Sequence, residues 1–240
     1  MLCSVLRDAH PSRSTDTREL EAATPRKVSR RLIPFLFVLY VAAYLDRINI
    51  GFAQLQMKGA LGFSDTVYGL GTGVFFIGYF LFEVPSNLIL ARTGARVWIA
   101  RIMITWGLIS SAMLTVRTPA SFYALRFLLG VAEAGFFPGV IYYMSGCFPA
   151  AARAAAISRF MTATAVSGII GGPLSGALFT LDGTAGLAGW QWIFLAEGIP
   201  SLVLGVATLY FLPDRPEQAR WLLPAEREYL AAMIRAEAMK

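Results

Sequence analysis

The chain has 240 residues, of which 56% are hydrophobic and 15% charged, with a formal net charge of +6 and a mean hydropathy of +0.58. Soluble chains carry roughly 25% charged residues, so an ordinary water-soluble enzyme and a wholly disordered chain are both excluded. Two cysteines (Cys3, Cys147) and a single His10 exclude a disulfide framework and a His/Cys metal cluster.

Residues 1–30 are polar and Arg-rich, without an apolar run of signal-peptide length, and are expected to form a retained, disordered tail. Six stretches follow, at 32–55, 67–90, 97–116, 121–146, 157–180 and 192–212. Each is long and apolar enough to cross a bilayer as a helix, which takes about 20 residues. They predict an all-α, six-helix membrane bundle over 31–212. Pro213-Asp214-Arg215-Pro216 stops the sixth, and 213–240 continues as the start of a cytoplasmic linker, with an amphipathic helix opening at Pro224.

Seventeen of the 21 Lys/Arg fall in the tail 1–31, the loops carrying Arg92, Arg96, Arg101, Arg153 and Arg159, and the C-terminal segment. By the positive-inside rule both termini are then cytoplasmic. The net charge reads as a topology signal; a nucleic-acid partner would need those charges on one soluble domain. No nucleic acid is expected.

The remaining charges are costly, at least about 2.5–3.5 kcal/mol each at mid-membrane. Asp46 and Arg47 lie within the first span, since Leu32 to Leu45 is too short to cross alone. Adjacent helical residues point about 100° apart, so each must find its own partner or ligand in the bundle. Arg126 and Glu133 are seven residues apart on one face of the fourth span, with Gly130 between them. Arg126 either faces the bundle or snorkels to water. Glu133 is too deep for that, and desolvation favours a protonated carboxyl, as a proton carrier requires. Tyr79 reads either as a donor to an anionic ligand or as a core tyrosine, and Glu83 as a contact between helices at a gate. Glu197 follows Trp190-Gln191-Trp192, tryptophans suited to an interfacial belt, and reads as structural. Small-residue pairs Gly135/Gly139, Gly168/Gly172 and Gly172/Gly176 predict close helix packing, and Pro138 and Pro173 predict bent helices. Gly69-Leu70-Gly71-Thr72-Gly73 follows no strand and is not a nucleotide loop.

Five segments in order resemble the N-terminal half of a major facilitator superfamily transporter, nearest its anion:cation symporter family. They are Tyr44-Leu45-Asp46-Arg47-Ile48-Asn49, Phe82-Glu83-Val84-Pro85-Ser86-Asn87, Arg126-Phe127-Leu128-Leu129-Gly130 with Glu133-Ala134-Gly135-Phe136-Phe137-Pro138-Gly139, Gly189-Trp190-Gln191-Trp192 into Glu197-Gly198, and Leu212-Pro213-Asp214-Arg215-Pro216. The resemblance covers about 30–235. It implies a multi-pass inner-membrane carrier, not an enzyme, for proton-coupled uptake of an organic carboxylate, with the proton as coupling ion and no other cofactor. It places proton coupling at Asp46 and Glu133, substrate binding at Arg47, Tyr44, Tyr79, Arg126 and Asn49, and gating at Glu83, Arg92, Gly94 and Arg96. The family's loop motif normally has an Asp where this chain has Ala91. Such carriers have two six-helix halves, so the expected partners are the bilayer, a small carboxylate and a second half. The alternatives are an exporter of the same superfamily and a truncated half that does not transport.

Overall fold

The computed structural model describes residues 15–238, with side chains described from Ala23 to Glu237. Among them the structure is all-helical: α1 (Thr15–Leu61), α2 (Asp65–Thr93), α3 (Ala95–Ala112), α4 (Pro119–Glu133), α5 (Phe136–Cys147), α6 (Ala150–Phe179), α7 (Gly189–Phe211) and α8 (Pro224–Ala238). Six helical stretches are long and apolar enough to cross a membrane, with α4 and α5 together making the fourth. The expected disorder of the tail is corrected from Thr15 onward, where α1 already runs. Its first turns are rich in Glu, Arg, Lys and Ala, good helix formers that let the helix extend well past its apolar span. Cys3 and His10 lie outside the described residues.

Loop chemistry makes the turns short. Gly62 takes φ +67°, and the Ser64 hydroxyl caps α2 by accepting from the Val67 amide at 3.2 Å. Thr118 and Ser121 form a reciprocal capping box before α4, with Pro119 in its first turn.

The helices pair as α3 with α7, α2 with α4, and α1 with α6. Small residues decide these pairings because lipid supplies no hydrophobic drive between helices. Gly107 and Gly198 face each other so closely that a methyl on either would lie 2.7 Å from the other's carbonyl oxygen. A methyl on Gly130 would fall on the Phe75 carbonyl of α2, and one on Gly78 would meet the Phe127 carbonyl at 2.6 Å. In α6 the packing face is shifted from the one expected. Gly168 and Gly176 have open space around them, and the contacts to α1 come from Ser167, Gly171 and Ser175 at i+4 spacing. Stepping one position along a helix turns the face by 100°, and the sequence offered small residues on both faces.

The fourth crossing is broken, not bent at Pro138. Ala134 (ψ 128°) ends α4, and Gly135, at φ +84°, starts α5. Pro138 has no amide to give the carbonyl four residues back, which is Ala134. That carbonyl accepts instead from the Ser86 hydroxyl at 2.6 Å, and Ser86 in turn accepts from the Trp98 indole at 3.0 Å. α6, by contrast, is continuous through Pro173.

Six crossings return the chain to its starting end. There Lys27 Nζ holds Glu226 of α8 at 2.8 Å, and Glu237 accepts from the Ala150 amide at 2.9 Å and pairs with Arg153 at 3.2 Å.

Candidate functional site

Arg47, on α1, donates from Nε to Glu133 Oε1 on α4 at 2.7 Å. Its guanidinium lies 4.8 Å from the centre of the Tyr79 ring on α2. The pair is asymmetric: the Glu133 side chain is 1% exposed and that of Arg47 29%. A fully buried carboxyl is thus paired with a guanidinium whose side chain is only partly covered. Glu133 ends the last turn of α4 at the break beside Gly135, so Pro138 and Ser86 help fix where it sits.

Asp46 turns the other way. Its Oδ1 accepts from the Ser110 hydroxyl of α3 at 2.9 Å. Beside it Asn49 donates from Nδ2 to Glu197 Oε1 on α7 and accepts from the Ser175 hydroxyl of α6 at 3.1 Å. Glu197 is buried and in electrostatic contact with Asp46. Each of the three carboxyls has one buried oxygen, Asp46 Oδ2, Glu133 Oε2 and Glu197 Oε2, without a hydrogen-bond partner among the described residues.

Arg126 does not snorkel. It is 3% exposed, with its guanidinium 4.6 Å from the centre of the Phe75 ring and Nε donating to the Gly71 carbonyl at 3.4 Å. No carboxylate among the described residues lies within ion-pair distance of it, so the structure gives Glu133 to Arg47 rather than to Arg126. Tyr44 is half-buried, edge-to-face with Tyr40. Trp190 is a core residue 3% exposed against Phe194, not a belt tryptophan. Glu197, read from the sequence as structural, is buried and accepts from Asn49. It falls in the i+4 series Glu197, Ser201, Gly205, all buried on one face of α7.

Of the residues expected to gate, Arg92, Gly94 and Arg96 lie at the end where the chain's two ends meet, whereas Glu83 is one turn from Tyr79 and in electrostatic contact with it. Glu83 is half-buried and Arg92 exposed, each without a hydrogen-bond or ion-pair partner among the described residues. Gly94, at φ +92°, lets the chain turn between α2 and α3, and a methyl there would press on Asp214 Oδ1 at 3.0 Å. The Arg96 amide donates to Asp214 Oδ1 at 3.0 Å, and its guanidinium Nε lies 3.2 Å from Oδ2. Arg96, on the loop that carries Ala91, is thus paired with a carboxylate from the segment after α7.

Buried charges distributed over three membrane crossings, one of them broken beside a carboxyl, suit the helical half of a membrane carrier. A family model for the Major Facilitator Superfamily matches residues 36–238, and the chain belongs to that family. It is 58% identical to a provisionally named tartrate transporter of Agrobacterium vitis over 92% of this chain and 49% of the relative. It is 49% identical to a quinolone resistance transporter of Acinetobacter baumannii over 88% and 49%. Its fold is similar to the crystal structure of a bacterial homologue of the human lysosomal transporter Spinster in an inward-facing, unoccupied conformation, with a TM-score of 0.71, 21% identity, and coverage of 81% of this chain and 44% of that one. The chain spans about half the length of the relatives it matches, consistent with an N-terminal six-helix half. It is a multi-pass inner-membrane protein of a family of transporters rather than enzymes.

Proposed function

We propose that this chain forms one wall of a secondary transporter that takes up an organic carboxylate together with protons, with both termini cytoplasmic. The Arg47–Glu133 pair carries the reading. While Glu133 is ionised it occupies Arg47. A proton on Glu133 cancels the charge and releases the guanidinium, which then holds a substrate carboxylate by two parallel hydrogen bonds. Proton and anion thereby favour each other's binding, and by linkage the favour is mutual. Asp46, with one unpartnered buried oxygen, is the second proton site, while Arg126 lies within electrostatic reach of Asp46, Glu133 and Glu197. Tyr79, Tyr44 and Asn49 complete the wall, and Glu83, Arg92, Gly94 and Arg96 act at the cytoplasmic gate. A tartrate-like acid is the first substrate class to test, because the 58% identical relative is named for tartrate. A second six-helix half would cover the exposed apolar face of α2, which includes Phe76, Phe80 and Val84.

The test is tartrate binding to the purified chain between pH 5.5 and 8. Binding should strengthen as the pH falls, and Glu133→Gln should bind at the high-affinity level throughout. Binding independent of pH in both proteins would sink the coupling. Export is the second reading, favoured by the 49% identical quinolone resistance transporter. Accumulation measured in right-side-out against inverted vesicles, with a second half supplied, separates the two directions.

A further inference from the structure

A cavity of about 550 Å³ opens beside the third to fifth turns of α1, lined by Ala23, Arg26, Lys27, Arg30 and Arg31 and, from the segment before α8, by Trp221. The helical residues recur at intervals of three and four, so they share one face. Four cations crowd that face, and among the described residues only Lys27 is neutralised, donating to both oxygens of Glu226 at 3.1 and 2.8 Å. Arg26 and Arg30 are exposed and have no ion-pair partner among the described residues. The Arg31 guanidinium lies 5.6 Å from the centre of the Phe211 ring, at the end of α7.

The same face continues into the apolar part of α1. Pro34 and Val38 are exposed, and Phe35 stacks on the half-exposed Phe211 with ring centres 4.9 Å apart. Along one helix face the order is therefore cations, then aromatic rings, then an aliphatic surface. That is the order of phosphate, interface and acyl chain in a phospholipid. A topology signal asks only for basic residues flanking a span. It does not ask that they converge on a notch continuous with a lipid-facing apolar stripe. We propose that this notch binds one anionic phospholipid. Arg26, Arg30 and Arg31 hold its phosphodiester, to which planar guanidinium groups bond in pairs. Trp221 packs beside the headgroup, as an indole does at a membrane interface, and an acyl chain lies over Phe35 and Val38. The Lys27–Glu226 contact sets the back wall, so an occupied notch would also brace the linker against α1.

The experiment is native mass spectrometry of the purified chain, delipidated in a neutral detergent and titrated with phosphatidylglycerol, with phosphatidylcholine of the same acyl chains, and with inorganic phosphate. One saturable phosphatidylglycerol adduct should form at least tenfold more tightly than the phosphatidylcholine adduct. Each basic residue near a membrane surface adds to the attraction for anionic lipid. Arg26→Gln/Arg30→Gln should therefore weaken the adduct by roughly tenfold or more, and Arg117→Gln/Arg215→Gln, with the same loss of charge, should leave it intact. Equal binding of the two lipids, unchanged binding in the Arg26/Arg30 variant, or displacement of the lipid by phosphate would each overturn the proposal. The comparison of the two lipids on the unaltered chain decides the matter even where the variant fails to fold.

Discussion

At Arg47 the shape of the cation matters as much as its charge. A guanidinium presents a planar fork that can release a carboxyl on one edge and engage another, whereas an ammonium is a compact point charge. Arg47→Lys should therefore keep the protein folded and lower tartrate affinity by about tenfold, the equivalent of one lost charge-assisted hydrogen bond. Isothermal titration of the purified variant checks this, and undiminished affinity would remove Arg47 from the substrate site. Gly130 is constrained by space: a methyl would strike the Phe75 backbone, which cannot rotate away. Gly130→Ala should cost about 1–3 kcal/mol through overpacking, read as a lower thermal midpoint in detergent.

The broken fourth crossing is a property of two elements at once. Pro138 frees the Ala134 carbonyl, Gly135 supplies the left-handed turn, and Ser86 of α2 closes the account with its hydroxyl. Ser86→Ala would leave a buried carbonyl unpaired and cost about 1–3 kcal/mol. Because Glu133 sits at the end of α4, the same change should also alter the pH dependence of tartrate binding. A Ser86→Ala protein with normal stability and a normal pH profile would show that the break holds itself. The motif around Ser86 and that around Glu133 are separate in the sequence, and this contact joins them.

Across the whole molecule, the segment after α7 ties the end of the bundle where the chain's two ends meet through three contacts: Asp214 to Arg96, Lys27 to Glu226, and Arg153 to Glu237. The second titrates. Burial pushes the Glu226 carboxyl up, but the Lys27 ammonium and the Leu223 amide outweigh it and hold the group below its ordinary value of 4.5. A depressed value in the folded state means that the stabilising contribution is complete above about pH 4.5 and fades as the pH falls below it. Glu226→Gln should therefore release α8 to limited proteolysis at pH 7, with the difference from the unaltered protein closing in acid. Persistence of the gap down to the lowest pH at which the fold survives would assign the effect to packing instead.

The sequence by itself determined what depends on local runs: six crossings, both chain ends at one end of the bundle, and a set of charges too expensive to be incidental. It also told that Asp46 and Arg47 need different partners, because that follows from 100° per residue alone. Only the tertiary structure decided which partners these are. Arg47 takes Glu133, Asp46 takes Ser110, Asn49 takes Glu197, and Arg126 rests on Phe75. Such pairings depend on which helix lies beside which and at what rotation. Those in turn rest on backbone approaches of a few ångströms at Gly107, Gly130 and Gly198, where several glycines in the chain looked equally able to serve. The 15% of charged residues marked where chemistry had to lie, and helix packing determined which of them meet.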